Sequence, residues 1–311
     1  MRTLPDGYEI RPPTLDDVDG VAEMLLADDL ADTGESDLDA DLVRDQWSAP
    51  GVELSADAWV ITDQNGTIVA HANVAPDGDG KVKSWGMVHP EHHGLGIGSA
   101  LLDRIEARAA ERFEPASGAL FTAVTDTDAA GAALVGSRGF ERVRSYRHLQ
   151  IDLDGSRPDA GEPRPGIEIR GIEPERDLVR VHAIFVDAFR EEWGYRPIPF
   201  EEWLGLEVET PSYDSDLWLL ATDGDEAVGA VSGVVWGDRG WVGELGVRKP
   251  WRGRGIASTL LRRAFAMFAS RGLPRVMLNV DSANPTGALR LYERLGMRTV
   301  RGWDVYEKIV G

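Results

Sequence analysis

The sequence predicts an α/β protein of two tandem domains, each with a mixed sheet flanked by helices. The first observation is an internal repeat, because four landmarks recur at one offset (170 − 11 = 159 residues). The matched residues are Arg11 with Arg170, Trp59 with Trp218, Val88 with Val247, and Gly96 with Gly255. The second observation is that patterns of antiparallel strands precede βα patterns in both copies, which favours a mixed sheet over a purely parallel one.

A segment rich in proline, glycine and acidic residues separates the copies: "DLDGSRPDAGEPRPG", residues 152–166. It has no apolar periodicity, which is typical of a linker or a long surface connection. We therefore predict an N-terminal domain over residues 1–151, a linker over 152–166 and a C-terminal domain over 167–311.

The elements of each copy follow in the same order. A short strand with an arginine (residues 9–11 and 168–170) precedes a helical pattern (16–26 and 176–189). Two strand-like runs then meet at Asn65-Gly66 in one copy and at Asp223-Gly224 in the other, which indicates β-hairpins. A strand ending at Val88 or Val247 leads into a glycine-rich turn and a helix. A strand, a helix and a final strand close the copy, as in "RVMLNVD", "PTGALRLYERLG" and "WDVYEKIV".

Composition limits the classes of function. A formal net charge of −20 argues against general binding to nucleic acid and favours cationic partners, although a solubilising acidic surface also accounts for it. Cysteine is absent, which excludes a thiolate nucleophile and a cysteine-ligated metal site. No apolar run approaches the roughly 20 residues that span a bilayer. We therefore expect a cytoplasmic protein that needs neither membrane nor metal.

The turn in "VRKPWRGRGIASTLL" has the chemistry of a phosphate site. Pro250 stops the strand, and the first amides of the next helix have no internal partner and carry the positive end of its dipole. They can bind a phosphate where no side chain shields them, as at Gly253 and Gly255. The run lacks the last glycine of a Rossmann fingerprint, and the chain has no P-loop motif. The alternative is that the glycines serve only tight packing between the strand and the helix. This alternative is less well supported because both copies keep the turn.

Two motifs of the C-terminal copy resemble the GCN5-related N-acetyltransferases. "RGRGIA" is similar to the R/Q-x-x-G-x-G/A signature of that family, and "NPTGALRLYERLGM" is similar to its N-x-x-A-x-x-x-Y-x-x-x-G-F segment, with Met297 in the place of Phe. Together they span most of residues 167–311. The resemblance implies that acetyl-CoA serves as co-substrate, that two strands part to admit its pantetheine arm, and that backbone amides bind its pyrophosphate. It assigns cofactor binding to Leu245, Gly246, Val247, Arg252, Gly253, Arg254, Gly255, Ile256, Ala257 and Asn284.

Acetyl transfer to an amine also needs a base, an acid and a group that stabilises the oxyanion. The resemblance implies that Tyr292 protonates the departing thiolate and that Glu244 acts as base, directly or through water. Period-two alternation puts Glu244 on the strand face opposite Leu245. A packing tyrosine and a solvated strand carboxylate are the alternatives. The amides of Leu245 to Val247 would polarise the thioester carbonyl.

The N-terminal copy differs at each of these points. His93 replaces Arg252, Trp85 replaces Glu244, and Val135 and Thr127 stand at the tyrosine and asparagine positions. A second CoA site without turnover remains possible there. Its candidate residues are Val88, His93, Gly94, Gly96, Ile97 and Gly98.

The acceptor is left open by the sequence. Trp193 and Tyr195 lie in "FREEWGYRPIPFEEWLGL", where aromatic and acidic residues alternate and would suit a cationic amine. Simple docking of a helix on the sheet is the alternative. We expect transfer to a primary amine of a small molecule or peptide. A cysteinyl sugar amine, as in the similar tandem enzyme mycothiol synthase, and a CoA-binding sensor without catalysis are the other hypotheses.

Overall fold

The computed structural model describes residues 2–33, 40–48, 52–78, 80–113, 117–153, 159–284 and 286–311. The chain forms two compact units: unit 1 is Met1–Tyr146 with Arg301–Gly311, and unit 2 is Arg147–Val300. Residues 154–158 of the predicted linker, and Pro285 of the asparagine motif, lie outside the described part. Each unit has a mixed sheet flanked by helices, which confirms the predicted fold class.

The elements of unit 1 begin with β1 (Glu9–Arg11) and three helices, α1 (Val18–Thr33), α2 (Ala40–Trp47) and α3 (Leu54–Asp57). The antiparallel strands are β2 (Ala58–Thr62), β3 (Ile68–Pro76) and β4 (Lys81–Val88). Then come α4 (Ile97–Phe113), β5 (Gly118–Thr125), α5 (Ala129–Ser137) and β6 (Glu141–Asp152), the last of which continues into unit 2.

Unit 2 repeats this order. Its elements are β7 (Ile167–Gly171), α6 (Pro174–Phe189), α7 (Phe200–Glu207), β8 (Leu219–Asp223), β9 (Glu226–Trp236) and β10 (Arg239–Val247). They are followed by α8 (Ile256–Ser270), β11 (Arg275–Asp281), α9 (Ala288–Arg294) and β12 (Arg298–Val310), whose last residues belong to unit 1. The strand order is β1-β2-β3-β4-β5-β12 in unit 1 and β6-β11-β10-β9-β8-β7 in unit 2.

The last strands explain why the units differ from the predicted domains. β12 pairs antiparallel with β5 from Trp303–Thr125 to Val310–Gly118, so residues 301–311 complete the sheet of unit 1. The second part of β6 neighbours β11 in unit 2. Each copy therefore contributes its final strand to the other unit, and the predicted division at 151 and 167 does not coincide with the compact units.

The two predicted hairpins are confirmed. Gly66 has φ +81°, and the Asp63 carboxylate accepts from the amides of Asn65 and Thr67, which stabilises the turn between β2 and β3. In unit 2 Asp223 still pairs with Glu226. The turn is therefore made by residues 224 and 225, one position later than predicted.

Helix packing in unit 2 positions the site. The buried residues of α6 include Val181, Ile184, Phe185 and Ala188, the spacing of one apolar helix face. Gly246 allows α6 to lie directly on β10, since a Cβ atom there would come within 2.9 Å of the Ala188 Cβ. The end of β10 near Val247 is therefore held against α6.

In each unit an ion pair joins the arginine of the first strand to an aspartate at or near the start of the first helix, six residues later in unit 1 and seven residues later in unit 2. Arg170 Nη1 lies 2.6 Å from Asp177 Oδ2, and Arg11 Nη2 lies 2.7 Å from Asp17 Oδ1. Asp177 is fully buried and is also paired with Arg176 and Arg180. The repeated arginine thus has a structural explanation. Among the described residues, no helix is long and apolar enough to cross a bilayer.

Candidate active site

A gap between two neighbouring strands forms the centre of the site in unit 2. Parallel pairing of β10 with β11 is limited to Gly240–Val276 and Trp241–Met277, whereas β10 stays paired with β9 as far as Val247. The strands therefore part after Trp241. This is the opening that the resemblance implied for a pantetheine arm.

Backbone amides of β10 face this gap. The Arg248 amide donates to the Val228 carbonyl at 2.9 Å. Because amides alternate in direction along an antiparallel strand, those of Leu245 and Val247 turn away from β9 and toward the gap. Donors in this position can stabilise charge on a carbonyl oxygen.

A β-bulge positions Glu244. The pairing of β10 with β9 shifts register between Val242 and Leu245, and the Glu244 amide donates to Ser232 Oγ at 2.8 Å. The prediction that Glu244 lies on the strand face opposite Leu245 assumed regular period-two alternation. The bulge interrupts that alternation at this point of β10. Bulges commonly re-aim a side chain beside an active site.

The environment of Glu244 makes its carboxyl a strong base. Oε2 is buried and has no hydrogen-bond partner. Burial, together with the charges of Glu207 and Glu192, raises the pKa of Glu244 to about 8, and the neighbouring Trp203 indole opposes this rise. A base is most effective when its pKa lies near the working pH.

Tyr292 is held as a protonated phenol. Its side chain projects from α9 and is 8% exposed. Burial and the nearby charge of Glu192 raise the pKa of Tyr292. A buried neutral phenol suits the donation of a proton to a thiolate.

The glycine turn leads directly into α8. Gly253 and Gly255 have φ of +75° and +80°, and Gly255 is the N-cap residue. Both are exposed, and a Cβ atom at either would meet nothing within 4 Å, so the helix amides are uncovered. Arg254 is exposed on the same turn. This arrangement fits an anionic phosphate group.

Arg252 has a different position from that expected of a phosphate ligand. Its Nε donates to the Val247 carbonyl at 3.0 Å and its Nη2 to the Ala188 carbonyl at 2.9 Å. The guanidinium therefore ties the turn to β10 and α6. The matched His93 contacts the Val88 carbonyl at 2.7 Å in unit 1, so the same tie exists there.

Asn284 contacts a carboxylate. Its Nδ2 donates to Glu192 Oε1 at 2.8 Å, while its Oδ1 accepts from the Thr286 amide. Burial raises the pKa of Glu192, and the Asn284 hydrogen bond opposes the rise. Asn284 thus holds Glu192 near Tyr292, a contact that the family motif alone did not predict.

Four residues interact electrostatically or by hydrogen bonding with Glu244, and with it they form a group of five that we call the acceptor cluster: Glu192, Tyr195, Trp203, Glu207 and Glu244. Burial and the Glu244 charge raise the pKa of Tyr195. Trp203 is 4% exposed, and its indole lies close enough to Glu244 to lower the pKa of that carboxyl. Trp193, at 37% exposed, lies outside this cluster on the surface of the same segment.

Unit 1 has the same cleft without the catalytic groups. β4 pairs with β5 only from Lys81–Ala119 to Ser84–Thr122, and beyond this the strands border a cavity of ≈ 580 Å³. The predicted second-site residues His93, Gly94, Gly96, Ile97, Gly98 and Val88 all line this cavity. The register of β4 with β3 is continuous from Ala70–Val88 to Pro76–Val82, so the bulge of β10 has no counterpart.

The acceptor side of unit 1 is closed by aromatic rings. Trp85 stands where Glu244 does and lies 5.7 Å from the His71 ring, and Trp47 Nε1 donates to His71 Nε2 at 3.1 Å. Burial lowers the pKa of His71 to about 3, so this imidazole is neutral. Both Trp47 and Trp85 therefore contact the ring of the buried His71.

Comparison with known proteins is consistent with this geometry. Residues 178–297 match the "Acetyltransferase (GNAT) family" model and residues 55–142 match an "Acetyltransferase (GNAT) domain" model. The chain is 33% identical to a mycothiol acetyltransferase of Stackebrandtia nassauensis, over 79% of each protein. It is 31% identical to the corresponding protein of Clavibacter michiganensis, over 73% of this chain and 72% of that one.

The chain belongs to the GNAT acetyltransferase family. A GCN5-related N-acetyltransferase from Sphaerobacter thermophilus has the same fold, with a TM-score of 0.87 and 32% identity over 99% of this chain and 97% of that one. A tandem GNAT protein from the clavulanic acid biosynthesis pathway is similar in fold, with a TM-score of 0.71 and 19% identity over 98% and 99% of the chains. This GNAT protein is therefore an acyltransferase with two domains in tandem, as predicted.

Sequence reasoning named Trp203 among the aromatic residues of the segment before Leu206 but did not single out two other contributors to the site. Ser232 accepts from the amide of Glu244 at the bulge, and the charge of Glu207 raises the pKa of Glu244. The spacing of Trp203 and Glu207, four residues apart in an acidic and aromatic helix, was a usable signal because such residues share a helix face. The bulge that positions Glu244 has no comparable signal in the sequence. Among the described residues, no group of histidine, aspartate and glutamate is arranged to hold a metal ion.

Proposed function

We propose that unit 2 transfers the acetyl group of acetyl-CoA to a primary amine of a small molecule, and that unit 1 binds CoA without turnover. The observation that carries the proposal is the opening between β10 and β11, which has a buried base on one side and a buried phenol on the other. The uncovered amides at Gly253–Ala257 support binding of the CoA pyrophosphate at the entrance.

The reaction follows from these groups. The ionised Glu244 takes one proton from the acceptor ammonium, and the amine nitrogen attacks the thioester carbon. The amides of Leu245 and Val247 stabilise the oxyanion of the tetrahedral intermediate. As the C–S bond breaks, Tyr292 protonates the sulfur and regains the second proton that leaves the nitrogen. The products are the amide, the CoA thiol and a proton on Glu244.

Unit 1 lacks three requirements of this scheme. It has Trp85 in the place of the base, Val135 in the place of the phenol, and no bulge to re-aim a side chain. Its cavity and glycine turn nevertheless support binding of the same cofactor. Gly94 and Gly96 have φ of +77° and +83°, matching the turn of unit 2.

Release of the CoA thiol, followed with a chromogenic reagent over a panel of primary amines, tests the proposal. Tyr292→Phe and Glu244→Gln should each reduce kcat by about 100-fold or more while CoA binding stays within about twofold. CoA binding without thiol release from any amine would remove the proposal for unit 2. A calorimetric stoichiometry of two CoA per chain would support binding in both units, and one per chain would contradict it for unit 1.

A cysteinyl sugar amine is the second candidate acceptor. The observation in its favour is the similarity, at 31–33% identity, to two mycothiol acetyltransferases. Including a cysteinyl amino sugar in the amine panel separates this acceptor from simpler amines, since the true acceptor should have the highest kcat/KM.

A further inference from the structure

The side-chain amide of Asn284 is oriented by a residue of its own loop. The Thr286 backbone amide donates to Asn284 Oδ1 at 2.8 Å, and the Thr286 hydroxyl donates to the same oxygen. Because a backbone amide can only donate, Oδ1 faces Thr286, and Nδ2 is the atom that lies 2.8 Å from Glu192 Oε1. Both lone pairs of Oδ1 are used within the protein, which leaves no acceptor there for the amide groups of a pantetheine arm.

The bond between Asn284 and Glu192 joins the two sides of the opening. β10 and β11 are parallel, so their carboxyl ends lie at the same edge of the sheet. Asn284 lies in the loop after β11, whereas Lys249 follows β10 and its Nζ donates to Glu191 Oε1 at 2.8 Å. The adjacent carboxylates of Glu191 and Glu192 thus bond to the loops after both strands. We call residues 190–195 the bridging segment, because it crosses the opening between those loops.

Helices α6 and α8 lie on opposite faces of the sheet beside this opening. A Cβ atom at Gly246 would come within 2.9 Å of Ala188 in α6, whereas one at Gly229 would meet Ile256 of α8 at 3.2 Å. Gly229 pairs with Val247, the neighbour of Gly246 along β10, and successive residues of a strand face opposite sides. The glycine turn leads into α8, and the bridging segment continues from α6. Coenzyme bound at the turn therefore leaves the face beside the bridging segment for the acceptor.

Glu192 lies at the centre of the bridging segment. Its amide donates to the Phe189 carbonyl at 2.8 Å, and its carbonyl accepts from the Tyr195 amide at 3.2 Å. The rings of Phe189 and Tyr195 are in contact, with their centroids 5.9 Å apart. Two consecutive turns therefore meet at Glu192, so a bond that fixes its carboxylate also restricts Tyr195. This links Asn284 to an aromatic residue of the acceptor cluster.

We propose that Asn284 is a positioning residue for the acceptor: through Glu192 it holds the bridging segment across the opening, and it does not bind CoA. The inference rests on the proposed function and gives Asn284 a role different from the cofactor binding that the family resemblance implied. The chemical step uses neither of the two side chains. Loss of their bond should therefore raise the acceptor KM and leave kcat and CoA affinity nearly unchanged.

Alanine variants of the two bonded residues test this role. Asn284→Ala and Glu192→Ala should each raise the acceptor KM about fivefold, measured by CoA thiol release over an amine panel that includes butylamine and a cysteinyl amino sugar. Both kcat and the inhibition constant of CoA against acetyl-CoA should stay within about twofold of wild type. The double variant should have no larger effect than either single variant, because all three lose the same hydrogen bond. Glu202→Ala, an exposed change on α7, is the control and should alter none of these values.

Two measurements separate positioning from a general loss of structure. Glu192→Gln keeps an oxygen that can accept from Asn284 Nδ2, so its acceptor KM should stay within about twofold of wild type. Hydrogen–deuterium exchange needs no acceptor amine. Exchange over the bridging segment should be about fivefold faster in Asn284→Ala and Glu192→Ala, but not in Glu192→Gln.

The opposite results identify which idea fails. Weaker CoA inhibition with an unchanged acceptor KM in Asn284→Ala would overturn the inference and return Asn284 to the coenzyme site. Unchanged exchange over the bridging segment in that variant would also overturn it. Both results leave the proposed acetyl transfer intact. Failure of every amine to release CoA thiol with the wild-type protein would instead remove the proposed function and this inference with it.

Discussion

Replacement of Glu244 by glutamine should stabilise the protein, and increasingly so as the pH rises. The pKa of Glu244 is raised from 4.5 to about 8 by burial. Below pH 4.5 the carboxyl is neutral in both the folded and the unfolded chain. Between pH 4.5 and 8 it ionises only in the unfolded chain, which favours unfolding, and above pH 8 this penalty is constant. Glutamine is neutral throughout and removes the penalty.

The magnitude follows from the difference in pKa. A difference of about 3.5 pH units corresponds to at most about 5 kcal/mol, at about 1.4 kcal/mol per unit. Glu244 is only partly shielded as a whole residue, so about 2 kcal/mol is a realistic gain above pH 8. In a chain of 311 residues, whose entropy of unfolding is about 0.65 kcal/mol/K, that gain raises Tm by about 3 °C.

Thermal unfolding of the wild type and Glu244→Gln at pH values between 4 and 9 measures this effect. The Tm difference should grow from pH 4.5 and level off above pH 8. Glu202→Gln, on the exposed surface of α7, is the control and should show no such trend. A difference that is constant with pH, or that shrinks as pH rises, would mean that the buried carboxyl ionises normally and would refute the reasoning. The same pKa requires kcat/KM of the wild type to rise with pH and to level off near pH 8, because the base must be ionised.

Three further results are expected. Tyr292→Phe should lose about 100-fold or more in kcat, whereas Val135→Ala, at the matched position of unit 1, should change kcat less than twofold. Steady-state release of the CoA thiol measures both variants. The reverse pattern would contradict the assignment of catalysis to unit 2. Trp193→Ala should leave both the acceptor KM and the CoA affinity unchanged, because this side chain lies on the surface outside the acceptor cluster; kinetics and calorimetry measure the two quantities. Asp177→Asn should destabilise the fold by about 3–5 kcal/mol, because Arg170 loses its fully buried carboxylate partner. Urea unfolding measures this difference in the free energy of unfolding between wild type and variant. The difference should disappear as the pH falls through the lowered pKa of Asp177, where the wild-type carboxyl also becomes neutral.

The fold was largely predictable because its signals are local. The strand-turn-strand patterns and the glycine turn depend on residues near one another in sequence, and the repeat is found by comparing the sequence with itself. The pairing of β12 with β5 was not predictable, since a strand's own alternation does not specify its partner. The same holds for β6, whose second part lies in unit 2.

The site was predictable in its residue types and less so in its contacts. Tyr292 is buried on α9 and the amides of the glycine turn are uncovered, and the catalytic and cofactor-binding roles of these groups stay predictions. Arg252, by contrast, bonds the carbonyls of Val247 and Ala188, and Asn284 bonds Glu192. Both contacts join residues far apart in sequence, so only the folded chain brings them together. A motif identifies such residues without specifying what each side chain touches.

The difference between the two units lies in the backbone as much as in the side chains. In unit 2 the bulge between Val242 and Leu245 inserts one residue into β10, and this turns Glu244 toward Trp203. In unit 1 the ladder of β4 is regular, and Trp85 packs with His71. A carboxylate placed at residue 85 would lie on an unbulged strand with its space filled by rings. The regular ladder and the rings beside residue 85 therefore distinguish unit 1, whose cleft borders a ≈ 580 Å³ cavity, from unit 2 with its bulge and its buried carboxyl.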